Sequence, residues 1–205
     1  MNIRYAVLAV AITGLAAAGG AQAQLSVTHD PAQVKAGHYL VEPNHTRVRF
    51  AVSHFGFTTY FGDFTGVKGA LDLAPAAVPT SRVVISIPVA SVSTTNSTLD
   101  GELRGADWFD ATKYPTIAFV STGVEPAGPG RARITGDLTL HGVTRPVILE
   151  AKFNAAGVNP MDGRYTAGFD AAAHIRRSDF GVTKYVPLVS DDVEITISAA
   201  FERTD

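Results

Sequence analysis

Val193-Glu-Ile-Thr-Ile-Ser-Ala-Ala-Phe-Glu202 puts apolar side chains at 193, 195, 197 and 201 and polar ones at 194, 196, 198 and 202. A period of two is the pattern of a β-strand with one dry face and one wet face. The same alternation recurs upstream. Val48, Phe50 and Val52 alternate with Arg47, Arg49 and Ser53, and Val83, Ile85, Ile87 and Val89 alternate around Ser86. Ile117 and Phe119 follow Pro115, and Ile134, Leu138 and Leu140 alternate with Thr135, Asp137 and Thr139. Val147, Leu149, Ala151 and Phe153 alternate with Glu150 and Lys152, followed by Tyr165, Ala167 and Phe169. Turn-forming clusters at 74–79, 125–130 and 157–163 separate these runs. Eight to ten half-buried strands indicate an antiparallel all-β fold. On pattern alone such a sheet either closes into a barrel or folds into a sandwich.

One segment departs from the alternation. Leu99, Leu103 and Ala106 fall at helical spacing, Ser97 and Asp100 resemble a capping box, and Tyr114-Pro115 ends the excursion. This predicts one short helical insert near 97–109. Before the first long strand, Asp30-Pro31 with Lys35 and Gly37 reads as a small helix in a lead-in over 24–37, ahead of a barrel domain over 38–205. Residues 1–23 read as a signal peptide. Arg4 supplies the positive start, an apolar run extends from about Ala6 to Ala18, and Ala21-Gln22-Ala23 is a small-x-small cleavage site. The expected location is the periplasm, with cleavage after Ala23.

The 205 residues contain no cysteine, which excludes thiol catalysis, thiolate metal sites and a disulfide scaffold. The formal net charge is −2 with both signs dispersed, which argues against nucleic acid as a partner. Glu150, Lys152, Glu194 and Glu202 stand at outward positions, which argues against a barrel facing lipid on its outside.

Three stretches together resemble the YceI-like, lipocalin-like polyisoprenoid-binding family. The first runs from Tyr39-Leu-Val-Glu-Pro-Asn-His45-Thr-Arg-Val-Arg-Phe50 through His54-Phe-Gly56 to Gly62-Asp-Phe-Thr-Gly66. The second runs from Ser91-Val-Ser-Thr94 through Leu103-Arg-Gly-Ala-Asp107-Trp-Phe109 and Tyr114-Pro115 to Gly136-Asp-Leu-Thr-Leu-His-Gly142. The third is Ile175-Arg-Arg-Ser-Asp179-Phe-Gly181 with Val189-Ser-Asp-Asp-Val193. Glu42 and Thr46 stand where that family carries Asp and Ser, both conservative changes. The resemblance implies an extended antiparallel lipocalin-like β-barrel of about eight strands, a periplasmic location and a buried isoprenoid or other lipid tail.

Phe50, Phe55, Phe57, Phe61 and Phe64 lie within one short stretch, with Trp108, Phe109, Phe119 and Phe180 downstream. A tube lined by rings and branched aliphatics would collect about 0.8 kcal/mol per buried CH₂ of a long tail. The ligand-lining candidates are Val48, Phe50, Val52, Phe55, Phe57, Phe64, Leu103, Trp108, Phe109, Phe119, Leu138 and Phe180. The helical insert and the Phe55–Phe64 region are candidate gates. Arg104, Asp107, Arg176 and Asp179 are candidates for a polar mouth. Of the neighbours Arg176 and Arg177, one faces inward if both lie in a strand, and would need a partner such as Asp107.

The six histidines are not spaced as metal ligands. Asp179-Phe180-Gly181 spells a kinase magnesium motif without the other kinase elements, and no catalytic triad can be nominated. The reading is therefore a lipid-binding protein with no cofactor and no catalytic residues. It stores or transports an isoprenoid quinone or polyprenyl lipid, with transient membrane or membrane-protein contact and a homodimer as further candidates. A secreted interaction domain with a filled core and a lipid-modifying enzyme are the alternatives.

Overall fold

The computed structural model describes residues 27–204. The expected signal peptide and the first three residues of the lead-in lie outside the described residues. Ten strands form one antiparallel sheet: β1 (Val27–Thr28), β2 (Gly37–His54), β3 (Thr58–Phe64), β4 (Lys68–Leu73), β5 (Arg82–Pro88), β6 (Thr116–Pro126), β7 (Arg131–Leu140), β8 (Val143–Val158), β9 (Tyr165–Arg176) and β10 (Asp192–Arg203). Eight of them make a closed barrel in the order β8-β7-β6-β5-β4-β2-β10-β9, and β9 pairs back onto β8. Closure removes sheet edges, and it decides between barrel and sandwich. The remaining two are additions: β1 extends the end of β8, and β3 pairs with the far half of β2.

The 18-residue β2 explains how β3 and β4 share one stave. Its first residues pair with β4, Tyr39 opposite Leu71, and its last pair with β3, Val48 opposite Phe64. Between β3 and β4 the chain breaks at Gly66, whose φ of 66° suits glycine. β5 is hydrogen-bonded to β4 and ends at Pro88, so the outer edge of β3 has a single bridge, Asp63 to Ser93. Residues 89–115 fill that gap in the wall.

Within this insert the helix α1 spans Ser97–Arg104. Its cap differs from the expected Ser97/Asp100 box. Asn96 is the N-cap and accepts from the Thr98 and Leu99 N–H groups. Asp100 instead accepts from the Thr94 N–H at 2.6 Å and from the Thr94 hydroxyl at 2.7 Å, both buried. The helix stops at Gly105, and a series of turns carries the chain to Tyr114. At the opposite end the lead-in makes a single 3-10 turn, Pro31–Gln33, where Asp30 accepts from the Ala32 N–H at 3.0 Å.

The core is a shell rather than a plug. One buried cluster (Phe64, Val67, Ile87, Leu103, Trp108, Phe180) gathers at the insert end, and a second (Val34, Tyr39, Val83, Phe119, Phe201) at the lead-in end. Inward positions of the alternating strands connect the two.

Candidate functional site

The alternation that forms the strands also forms the site. Val48, Phe50 and Val52 of β2, Ile195 and Ile197 of β10, and Leu149 and Ala151 of β8 all face one continuous cavity of about 750 Å³. That volume lies within the range of about 300–1,000 Å³ typical of small-molecule sites. Phe50, Phe64 and Phe109 form an aromatic run on one side, with successive ring centroids 5.7 and 5.6 Å apart.

Two of the lining rings rest over glycines. Phe50 is the cross-strand partner of Gly62, and an added Cβ there would sit 2.5 Å from Phe50 Cε1. Likewise a Cβ on Gly136 would sit 2.7 Å from Phe119 Cε2. The missing side chains give the rings a place against the wall, a known use of glycine in sheets. The lumen beside them stays open.

The two ends differ. At the lead-in end the floor is built by Pro31, Val34, Pro75 and Val78, beside the exposed lining residues Pro126, Gly128, Pro129 and Arg131. At the insert end the cavity meets α1 and the 182–190 segment through Leu99, Leu103, Trp108, Val182, Tyr185 and Val189. Arg177 also lines the cavity here. Its Nε donates to the Ser190 carbonyl at 2.9 Å, Nη1 to those of Val182 and Lys184 at 2.9 Å each, and Nη2 to that of Val189 at 2.8 Å. Its Cζ lies 5.6 Å from the Trp108 ring centroid, within cation–π range. Burial pushes the guanidinium pKa down, and the Asp191 charge opposes that shift. Asp191 holds the preceding turn, accepting from the Ser178 N–H at 2.8 Å and from its hydroxyl at 2.6 Å. Among the described residues, Trp108 Nε1 is a buried side-chain donor without a partner.

Of the lining residues expected from sequence, Val48, Phe50, Val52, Phe64, Leu103, Trp108, Phe109, Phe119 and Leu138 face the cavity. Three do not. Phe55 and Phe57 project into water, because β2 ends at His54 and a turn with positive φ at Phe55 and Gly56 reverses the chain. Phe180 is fully buried but lies in a 3-10 turn (Arg177–Phe180) beside His141, outside the lumen.

The residues expected at a polar mouth are each engaged with protein partners. Arg104 is turned onto its own insert, donating to the Ala90 and Val92 carbonyls at 3.1 Å each. Asp107 pairs with Lys184 at 2.7 Å, and Arg176 pairs with Asp179 at 3.0 Å, both on the exposed surface. The inward arginine is Arg177, and its hydrogen-bond partners are backbone carbonyls rather than Asp107. Sequence carries little signal for this, since any segment supplies carbonyls. The same holds for the floor, where short proline-bearing pieces distant in sequence meet.

Chemically this is a place to enclose an apolar chain. Among the described residues no group of His, Asp and Glu is arranged to hold a metal ion.

A family model for the YceI-like domain matches residues 39–201. A UPF0312 protein of Ectopseudomonas mendocina is 37% identical over 168 residues, covering 81% of this chain and 87% of that protein. The crystal structure of BcnA from Burkholderia cenocepacia superposes with a TM-score of 0.71 at 27% identity, over 78% of this chain and 98% of that one. A polyisoprenoid-binding domain from Saccharophagus degradans, implicated in plant cell wall breakdown, superposes with a TM-score of 0.61 at 14% identity, over 82% of this chain and 99% of that one. That last likeness concerns the fold alone.

Proposed function

The chain belongs to the YceI-like family, and from that premise we propose that it binds a long apolar lipid of isoprenoid quinone or polyprenyl type in the barrel and stores or carries it in the periplasm. The observation that carries this reading is the continuous apolar cavity through the length of the barrel. An interaction domain with a filled core would have packed that volume with side chains.

The energetics suit a tail. Burying one five-carbon unit returns about 4 kcal/mol at 0.8 kcal/mol per methylene-sized group. Ordering the flexible chain offsets part of that. Few polar groups are needed, and those at the insert end suit the end of the ligand that carries oxygen. Trp108 Nε1 has no acceptor there, and the Arg177 charge has no carboxylate within ion-pair distance among the described residues.

Native mass spectrometry of the protein purified from its own cells, followed by organic extraction, tests the reading. One co-purifying isoprenoid lipid per chain is the expected result. A protein that stays empty after incubation with prenyl quinones and polyprenyl phosphates refutes it.

A further inference from the structure

Four large apolar side chains reach into water together at the insert end. Phe57 is 88% exposed, Leu188 59%, Tyr185 56% and Phe55 48%. Single exposed apolar residues are ordinary on protein surfaces. These four belong to two loops that are bound to each other and to the cavity rim. The Phe55 N–H donates to the Leu188 carbonyl at 2.8 Å, and His54 bridges Val189. The Val189 N–H in turn donates to the Tyr185 carbonyl at 2.8 Å. His54, Tyr185 and Val189 line the cavity. The apolar tips therefore stand directly outside the cavity lining at this end.

A second observation concerns the backbone. Phe55 has φ 54° and Tyr185 φ 62°, left-handed values that bulky side chains rarely adopt. Strain of this kind persists where the surrounding structure enforces it, and it clusters at functional places. Here it leaves two aromatic side chains about half exposed, Phe55 edge-on to the His54 ring at 4.4 Å and Tyr185 to the Trp108 ring at 6.0 Å.

We propose that this rim docks on a lipid bilayer. Phe57 and Leu188 insert at the boundary between head groups and acyl chains, so that a tail passes between membrane and cavity without crossing water. This rests on the lipid-binding reading above, because a water-insoluble ligand of this type resides in membranes. Aromatic side chains such as Tyr185 suit the membrane interface. The surface ion pairs beside the rim cancel, Lys184 with Asp107 and Arg176 with Asp179, and Glu102 adds a negative charge there. Docking is accordingly apolar and needs no anionic lipid.

The experiment is co-sedimentation of the full protein with pure phosphatidylcholine vesicles. Trp108, the one tryptophan of the chain, provides a second readout through quenching by brominated acyl chains, as its ring lies 6.0 Å from Tyr185. Phe57→Asp and Leu188→Asp each change an exposed side chain, and Met161→Asp, 90% exposed on the β8–β9 turn at the opposite end, is the control. The expected result is vesicle binding that survives high salt, falls at least tenfold in each rim variant and is unchanged in the control, since burying one such side chain is worth at least a decade in partition. The rim variants should still load a prenyl quinone delivered from ethanol. Wild-type protein that does not bind the vesicles, or rim variants that bind as well as wild type, overturns the proposal. Failure to load from ethanol in wild type would instead refute the cavity reading, while the vesicle result would still decide docking.

Discussion

Replacing Gly62 by alanine adds one methyl group where the Phe50 ring already lies. Gly62 has no left-handed φ, so its backbone accepts alanine. On chain entropy alone the change would stabilise by about 0.4–1 kcal/mol. The new Cβ, however, would sit 2.5 Å from Phe50 Cε1 and 3.0 Å from Cε2, whereas carbon atoms pack at about 3.5–4.0 Å. The ring edge must retreat by about 1 Å or more, and away from the wall means into the lumen. A cavity of about 150 Å³ holds one benzene ring, so a fully displaced ring would take about a fifth of the 750 Å³. Overpacking and an off-rotamer ring together cost about 1–3 kcal/mol. Urea denaturation of Gly62→Ala should show that loss, and binding across a series of prenyl lengths should fail first for the longest tails. In a Phe50→Leu background the same substitution should be neutral or stabilising. If Gly62→Ala is as stable as wild type and binds the same longest tail, the glycine does not keep the bore open. Gly136→Ala is a poorer test, because its Cβ would also meet the Val120 carbonyl oxygen at 2.7 Å.

Arg177→Met leaves the carbonyls of Val182, Lys184, Val189 and Ser190 without their donor, and chemical denaturation should show a loss of about 3 kcal/mol or more. Arg177→Lys should not restore it, because an ammonium cannot reproduce the planar fork. The Ser178 hydroxyl bond holds the Asp191 pKa down, with burial opposing and the Ser178 N–H and the Arg176 and Arg177 charges assisting. Its stabilising contribution is therefore complete above about pH 4 and is lost as pH falls through the lowered value. Wild type should exceed Asp191→Asn in stability near neutrality and converge with it in acid, and a pH-independent difference would refute the assignment. Hydrogen exchange should show the reciprocal Asp63 and Ser93 amides opening together, well before those of β10, and equal protection would count against a separable insert.

The barrel was legible because closed antiparallel sheets impose one rule on every strand. Val48, Phe50 and Val52 on β2 and Val193, Ile195 and Ile197 on β10 obey it, and facing direction follows from parity alone. The rule expires where the strand does. Phe55 and Phe57 share the composition of the lining, but Gly56 with φ 72° belongs to a turn, and parity carries no meaning past it. The Ser97/Asp100 spacing misplaced the helix cap by one residue, since Asn96 is the N-cap and Asp100 accepts from Thr94 instead. Arg177 and the cavity floor were illegible for another reason. Their partners are backbone atoms and short segments brought together only by closure.

The two ends of the cavity are held differently. The floor is braced by local bonds, the Tyr39 hydroxyl to the Lys35 carbonyl at 2.5 Å and the Ala74 N–H to the Ser81 hydroxyl at 3.0 Å. The wall at the other end is not continuous sheet, because β5 pairs with β4 and β3 keeps a free edge there apart from one bridge. The side-chain hydrogen bonds of the insert that fills this gap are mostly internal, Thr94 with Asp100 and Arg104 with the Ala90 and Val92 carbonyls. Few hydrogen bonds tie it to the strands, chiefly the Asp63–Ser93 pair and the Thr65 N–H to the Ser91 hydroxyl, while Val89, Val92, Leu103 and Trp108 anchor it by apolar packing. On the proposed reading, a tail would enter where the fewest hydrogen bonds must open, at the end where Phe57 and Leu188 stand in water.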